Sequence, residues 1–277
     1  MEQVVPGTRR LRVGCTFHYQ VAAPTPAMIQ IAVDPRAVER VVTESWTLSP
    51  ESPINTFSDL YGNLNRRAVL GRGAASISYD SEVDVPSAPD PCDPHAGQQP
   101  VEELPDEVLH YLLASRYAES DALSGTAWEL FGGTEPGWPR AQAICTWVNQ
   151  NLRFEYGASD WLTSAKDVLA AGKGVCRDFA HLFIAFCRGM AIPARYVFGY
   201  LPDMDVEPLK VPMDFYGWAE AYLGGRWWVF DPRNDARRVG RVWVGRGRDA
   251  SDVAMVTTWG PASLERLLVW ADEVVDL

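Results

Sequence analysis

One segment limits the fold more than any other. Gly172-Lys-Gly-Val-Cys-Arg-Asp-Phe-Ala-His-Leu-Phe-Ile-Ala-Phe-Cys-Arg188 is a glycine loop running into a helix that is apolar on nearly every side. Such a helix cannot lie on a surface, so other elements must cover it. It is also shorter than the roughly 18 apolar residues of a membrane span, and no other apolar run reaches that length. Cys176 falls in its first turn, where unpaired N–H groups and the positive helix end favour a thiolate, helped by Arg177. The thiolate is the nucleophilic form, and the same N–H groups can receive an oxyanion. A small buried hydrophobe is the competing reading. Cys187, mid-helix beside Phe186, reads as core. His181 follows Cys176 by five residues, about 140° around the helix, so the two do not face each other.

A second local signal lies downstream. Phe215-Tyr-Gly-Trp-Ala-Glu-Ala-Tyr-Leu-Gly-Gly-Arg-Trp-Trp-Val-Phe-Asp-Pro232 reads as two strands around the turn Gly224-Gly225. A two-residue turn pairs Leu223 with Arg226. Counting back pairs Trp218 with Asp231 and Tyr216 with Arg233, so these four share a face, with Asp231 diagonal to Tyr216. If that face packs towards the start of the cysteine helix, position 216 is the place for a base and Asp231 for its orienter.

Residues 1–86 read as a β-rich domain of short strands, a sandwich or an open barrel. The stretch 87–104 is proline-rich and reads as a linker, followed by a helical and mixed domain over 105–277. Helices are expected at 105–113, 139–152 and 164–171, the last closed by Gly172. The chain carries 25 Lys+Arg against 36 Asp+Glu, so 25 − 36 = −11. Eleven of those acids lie between Asp80 and Asp121 with one base, Arg116, which makes the acidity a property of the linker and the first helix after it. Nucleic acid is an unsuitable partner for that field. Arg233, Arg237, Arg238, Arg241, Arg246 and Arg248 form a basic cluster, read as a solvated loop face or a rim for an anionic or carrier-bound substrate. The N-terminal Met-Glu-Gln-Val-Val-Pro lacks the basic start and apolar stretch of a secretory signal. The five cysteines are scattered without a Cys-x-x-Cys pair, so reduced thiols in the cytoplasm are expected. Cys92 and His95 have no second ligand pair, and there is no phosphate loop, so neither metal nor cofactor is expected.

Ser115-Arg-Tyr117 with Glu119-Ser-Asp121, Thr163-Ser-Ala165, Gly174-Val-Cys-Arg-Asp-Phe-Ala-His181, Ile192-Pro-Ala-Arg-Tyr196, Pro212-Met-Asp-Phe215 and Gly245-Arg-Gly-Arg-Asp249 together resemble the bacterial transglutaminase-like proteins. Val13-Gly-Cys-Thr-Phe-His-Tyr19 and Asp59-Leu-Tyr-Gly-Asn63 resemble their β-rich N-terminal region, so the likeness covers nearly the whole chain. It implies an α+β fold, a β-rich N-terminal domain followed by a papain-like transglutaminase core with the cysteine helix packed on an antiparallel sheet. It also implies Cys176 as nucleophile and Asp231 as the triad aspartate. The family's histidine position is occupied by Tyr216. A phenol is a poor base at neutral pH unless its pKa is lowered, for which Arg233 is the nearest candidate.

The resulting expectation is a cysteine-dependent acyl-transfer enzyme acting on an amide or thioester. Its catalytic residues would be Cys176, Tyr216 and Asp231, with Trp218 and Arg233 contacting substrate and no membrane partner. Two other readings stand beside it: a site recast for an isomerisation, a cyclisation or transfer from an activated thioester, and a non-catalytic binding cleft.

Overall fold

The computed structural model describes residues 7–208 and 211–274; the N-terminal hexapeptide read above lies outside them. Six strands come first: β1 (Thr8–Val21), β2 (Thr25–Ile29), β3 (Arg40–Ser49), β4 (Asn55–Ser58), β5 (Leu64–Leu70) and β6 (Gly73–Pro86). The middle holds α1 (Asp106–Leu109), α2 (Ser120–Phe131), α3 (Trp138–Asn151), β7 (Arg153–Phe154), α4 (Ala165–Ala171), β8 (Lys173–Gly174) and α5 (Cys176–Gly189). The remainder is β9 (Ala194–Tyr200), β10 (Tyr216–Leu223), β11 (Arg226–Phe230), β12 (Val242–Gly247), β13 (Val256–Thr258) and β14 (Ala262–Glu273).

The α+β class expected from the sequence is the one observed. Helix α5 is buried along most of its length and packs on the antiparallel sheet β11-β10-β9-β12. Its start is set by Asp178, whose carboxylate accepts the Val175 N–H at 2.8 Å, a capping contact that satisfies one orphan donor. A side chain at Gly174 would collide with Asp178, which is why the loop before the helix needs glycine there. Ser164 caps α4, and Gly172 ends it in the left-handed conformation at φ +66°. The expected helix over 105–113 is shorter, one turn of α1 followed by a 3₁₀ turn at 110–112.

The C-terminal strands cross the expected division of the chain. β14 pairs with β1, and β13 pairs with β2, so the N-terminal sheets are β14-β1-β6-β3 and β13-β2-β5-β4. One hydrophobic core runs from Leu11, Ile29 and Ile77 through to Phe183 and Phe186 of α5. No local signal marks this pairing, because the partner of the last strand is the first in the chain.

The stretch 87–104 is not a free linker either. Gln98 Nε2 donates to the Met190 carbonyl at 2.8 Å, Gly97 accepts from Gly224 N, and Ala96 is buried. Several of the clustered acids are likewise internal. Asp84 is wholly buried between Arg10 and Arg40, and Asp90 meets Arg241. The acidity is therefore partly structural, since buried carboxylates need such partners.

The resemblance motifs act as fasteners. Asp249 accepts the Tyr117 N–H at 2.7 Å, Glu119 accepts the Lys166 N–H at 3.1 Å, and Asn63 bonds both N–H and carbonyl of Arg246. Each joins segments far apart in sequence.

Candidate active site

The hairpin turn places Leu223 opposite Arg226 and Ala219 opposite Phe230, as the two-residue turn requires. The ladder then ends. Pro232 has no N–H to continue it, and the chain turns at Asp231 with Asn234 N and Asp235 N bonded back to the Asp231 carbonyl. Arg233 is therefore not opposite Tyr216 in the ladder, although its guanidinium lies 5.4 Å from the Tyr216 ring centre. The diagonal relation does hold: Tyr216 Oη donates to Asp231 Oδ1 at 2.9 Å.

Asp231 is held from several sides. Arg241 Nη2 donates to Oδ2 at 3.0 Å, and Asn234 Nδ2 donates to Oδ2 at 3.0 Å. The same Asn234 amide reaches Tyr216 Oη at 3.0 Å. The phenol thus gives its proton to Asp231 and accepts from Asn234. Arg241 in turn is held by Asp90 at 3.2 Å, so the acidic stretch ends two side chains from the site.

Cys176 is half-buried at the edge of this group, and its Sγ accepts the Gly217 N–H at 3.4 Å. The expected activation of the thiol does not follow. Burial pushes it up to about 11, against the downward pull of the Gly217 N–H and the Arg233 charge. Arg177 is engaged elsewhere, by Asp178 and the Asp160 carbonyl. The lowered phenol pKa expected from Arg233 does not appear: burial first, then the charge of Asp231, raise the Tyr216 phenol well above the usual range.

Histidine gives no substitute. His181 is fully buried, stacks on Tyr117 at 5.2 Å, and accepts the Ala250 N–H at 3.1 Å through Nε2. His110 packs between Tyr61 and Tyr111. Neither forms a hydrogen bond to Cys176 among the described residues.

Cys176 opens into a cavity of about 520 Å³. Its wall includes Tyr216 and Arg233, as expected, and also Phe17 and Tyr19 from β1. Trp218 does not line it. Its side chain is completely buried among Val197, Leu201, Tyr216 and Trp243, with Arg241 over its ring at 4.7 Å, because its strand is covered on both faces. The arginine cluster is neither a solvated face nor one continuous rim. Arg241 is interior, Arg246 lies on Trp243 at 3.3 Å, Arg248 pairs with Asp252, and only Arg233 and Arg238 of the six reach the cavity.

Tyr196 is the residue that the sequence reading passed over. It lines the cavity, is 5 % exposed, and its hydroxyl has no hydrogen-bond partner among the described residues. That hydroxyl would lie 2.5 Å from a Cβ placed on Gly217, so glycine there admits the phenol beside the N–H that holds the sulfur. Its signal was in the Ile192-Pro-Ala-Arg-Tyr196 motif, quoted only for resemblance. Asn234, Arg241 and Asp90 had no local signal.

The sequence pattern described as the transglutaminase-like superfamily matches residues 125–232. An uncharacterized protein of Mycobacterium leprae is 41% identical over 115 residues, covering 40% of this chain; the chain spans 41% of that relative. An uncharacterized protein of Mycobacterium bovis is 30% identical over 236 residues, 78% of this chain and 75% of its own length. The crystal structure of a candidate cysteine protease from Cytophaga hutchinsonii superposes with a TM-score of 0.87 at 30% identity, over 97% of this chain and 92% of that one.

Proposed function

We propose that this chain, which belongs to the transglutaminase-like superfamily, transfers acyl groups through a thioester on Cys176, taking them from donors whose leaving group is a thiolate. The observation that carries this reading is a cavity-facing sulfur bonded by a backbone N–H, beside a phenol whose hydroxyl is fully engaged by Asp231 and Asn234. Removing the proton from a thiol at about 11 costs about 5 kcal/mol at pH 7. With no imidazole to take that proton and pass it to an amine, amide cleavage is disfavoured. A thiolate leaves without prior protonation, so a thioester donor needs no acid at this site.

In the forward step Cys176 Sγ forms a bond to the carbonyl carbon while the carbonyl π electrons move to oxygen. The free N–H groups at the start of α5 and the Tyr196 hydroxyl are the donors placed to receive that oxygen. Collapse breaks the donor's C–S bond, and the departing sulfur takes the proton lost by Cys176. Water or an amine then attacks the Cys176 thioester, and the proton it releases returns to Sγ. Tyr216 acts as a fixed hydrogen-bond donor that shapes the wall, with Asp231 holding it. All five cysteines are free thiols, which supports a reducing, cytoplasmic setting.

The test is intact-mass analysis after exposure to an N-acetylcysteamine thioester. Acylation is expected on the native protein and not on Cys176→Ser, and Tyr196→Phe should slow it about 100-fold. Absence of a mass gain, or a gain that persists in Cys176→Ser, would leave the cleft as a binding site only.

A further inference from the structure

Among the described residues, Arg233 is the one cation on the cavity wall without a carboxylate partner. Five charged side chains reach it: Arg177, Arg233, Arg238, Asp203 and Asp214. Arg177 is paired with Asp178, and Arg238 with Asp203 at 3.7 Å. Asp214 accepts the Phe215 N–H. Arg233 has no carboxylate partner among the described residues. Its guanidinium lies 4.0 Å from the Phe154 ring centre and 5.4 Å from that of Tyr216, so two aromatic side chains flank it and neither neutralises its charge. Arg238, 9 % exposed on the same wall, has its Nε buried without a partner. A half-buried guanidinium left in this way is a receptor for a planar anion.

The rest of the wall is apolar and aromatic. Phe17 and Tyr19 reach it from β1, Leu264 from β14, and Met213, Val253 and Met255 from the loops around the site. The N-terminal sheet therefore closes one side of the cleft. A cavity of about 520 Å³ falls within the roughly 300–1,000 Å³ range of small-molecule pockets.

We propose that this pocket takes a small acyl donor with an apolar or aromatic body and a carboxylate, the carboxylate seated on Arg233 close to the carbonyl that Cys176 attacks. This deepens the acyl-transfer reading and rests on it. The carboxylate lies near the reacting carbon because Arg233 stacks on Tyr216, whose neighbour Gly217 holds the sulfur. Phe17 and Tyr19 select the body of the donor, so specificity is shared between the N-terminal sheets and the cysteine helix. A glutamine side chain does not fit this description, because it brings no carboxylate.

The test uses two N-acetylcysteamine thioesters with one acyl body, 3-phenylpropanoyl and its carboxylate-bearing analogue 2-benzylsuccinyl. The succinyl compound is expected to acylate Cys176 at least about tenfold faster at low concentration. Arg233→Gln should bring the two rates within about twofold of each other, and Arg233→Lys should restore part of the difference. Free benzylsuccinate, which donates no acyl group, is titrated calorimetrically into Cys176→Ser with and without Arg233→Gln. Binding that needs Arg233 upholds the carboxylate seat even if neither thioester reacts, in which case the acyl-transfer reading falls. Binding indifferent to Arg233, or no binding, overturns the proposal, and acylation by both thioesters at equal rates does the same while leaving acyl transfer intact.

Discussion

Two pairs of aromatic side chain and carboxylate lie near the start of α5, and they have opposite fates. His181 stands beside Asp249, both fully buried; the imidazole accepts the Ala250 N–H, and Asp249 accepts from Tyr117 N and both N and Oγ of Ser251. The Ala250 and Tyr117 contacts tie distant chain segments together, and the Ser251 contacts close the local turn. Tyr216 stands beside Asp231 with Asn234 and Arg241, and its ring borders the cavity with Cys176 next to it, while Asp231 lies behind it. The imidazole, the group suited to proton transfer, has been used to fix the loop at Ala250. The phenol, which is not, occupies the site. The residue type alone does not make a base; the neighbours and the access decide it.

The sharpest way to break this comparison is to remove Asp231. Asp231→Ala leaves Arg241 buried with only Asp90 and removes the acceptor of the Tyr216 hydroxyl, so a loss of about 3 kcal/mol is expected in urea unfolding. Little change would mean that the network is solvated and does not hold the site.

The other pair is tested by pH. Burial lowers His181 to about 4, below its unfolded value near 6.5. The unfolded chain then takes up a proton that the folded one refuses, so this contribution is fully present above 6.5 and is lost as pH falls towards 4, by about 3 kcal/mol at most. Asp249, held near 2 with the His181 charge and several hydrogen bonds outweighing its burial, adds its own loss only below its unfolded value near 3.8. Unfolding midpoints measured at pH 7 and 4.5 should fall further for the native protein than for His181→Asn. Equal falls would mean that His181 is not held neutral.

Smallest in energy but most telling is Tyr216→His. An imidazole beside Asp231 and Cys176 should raise the rate of iodoacetamide alkylation at pH 7 by more than about tenfold and add an inflection near its own pKa. The native protein should show a rate still rising towards pH 11. A native plateau near neutrality would show that the thiol is activated by something other than position 216.

The reading from sequence succeeded where the cause was local. The cysteine helix, its glycine loop, the Ser164-to-Gly172 helix and the hairpin register around Gly224-Gly225 all follow from periodicity, capping and turn chemistry within a few residues. It failed at the ends of those elements. Counting along the hairpin assumed a ladder that Pro232 stops, and sharing a face with Tyr216 did not bring Trp218 into the cavity.

Sequence by itself determined the family, the α+β fold, and the placing of Cys176, Tyr216 and Asp231 on adjoining elements. Tertiary structure alone decided what those groups can do. The thiol is raised because protein surrounds it; the phenol is locked because Asn234 and Asp231 meet on its hydroxyl. Arg241 reaches Asp90 across 151 positions, and Phe17 from the first strand faces a cysteine on the fifth helix. Desolvation and hydrogen bonding depend on which distant segments come together, and no local pattern carries that information.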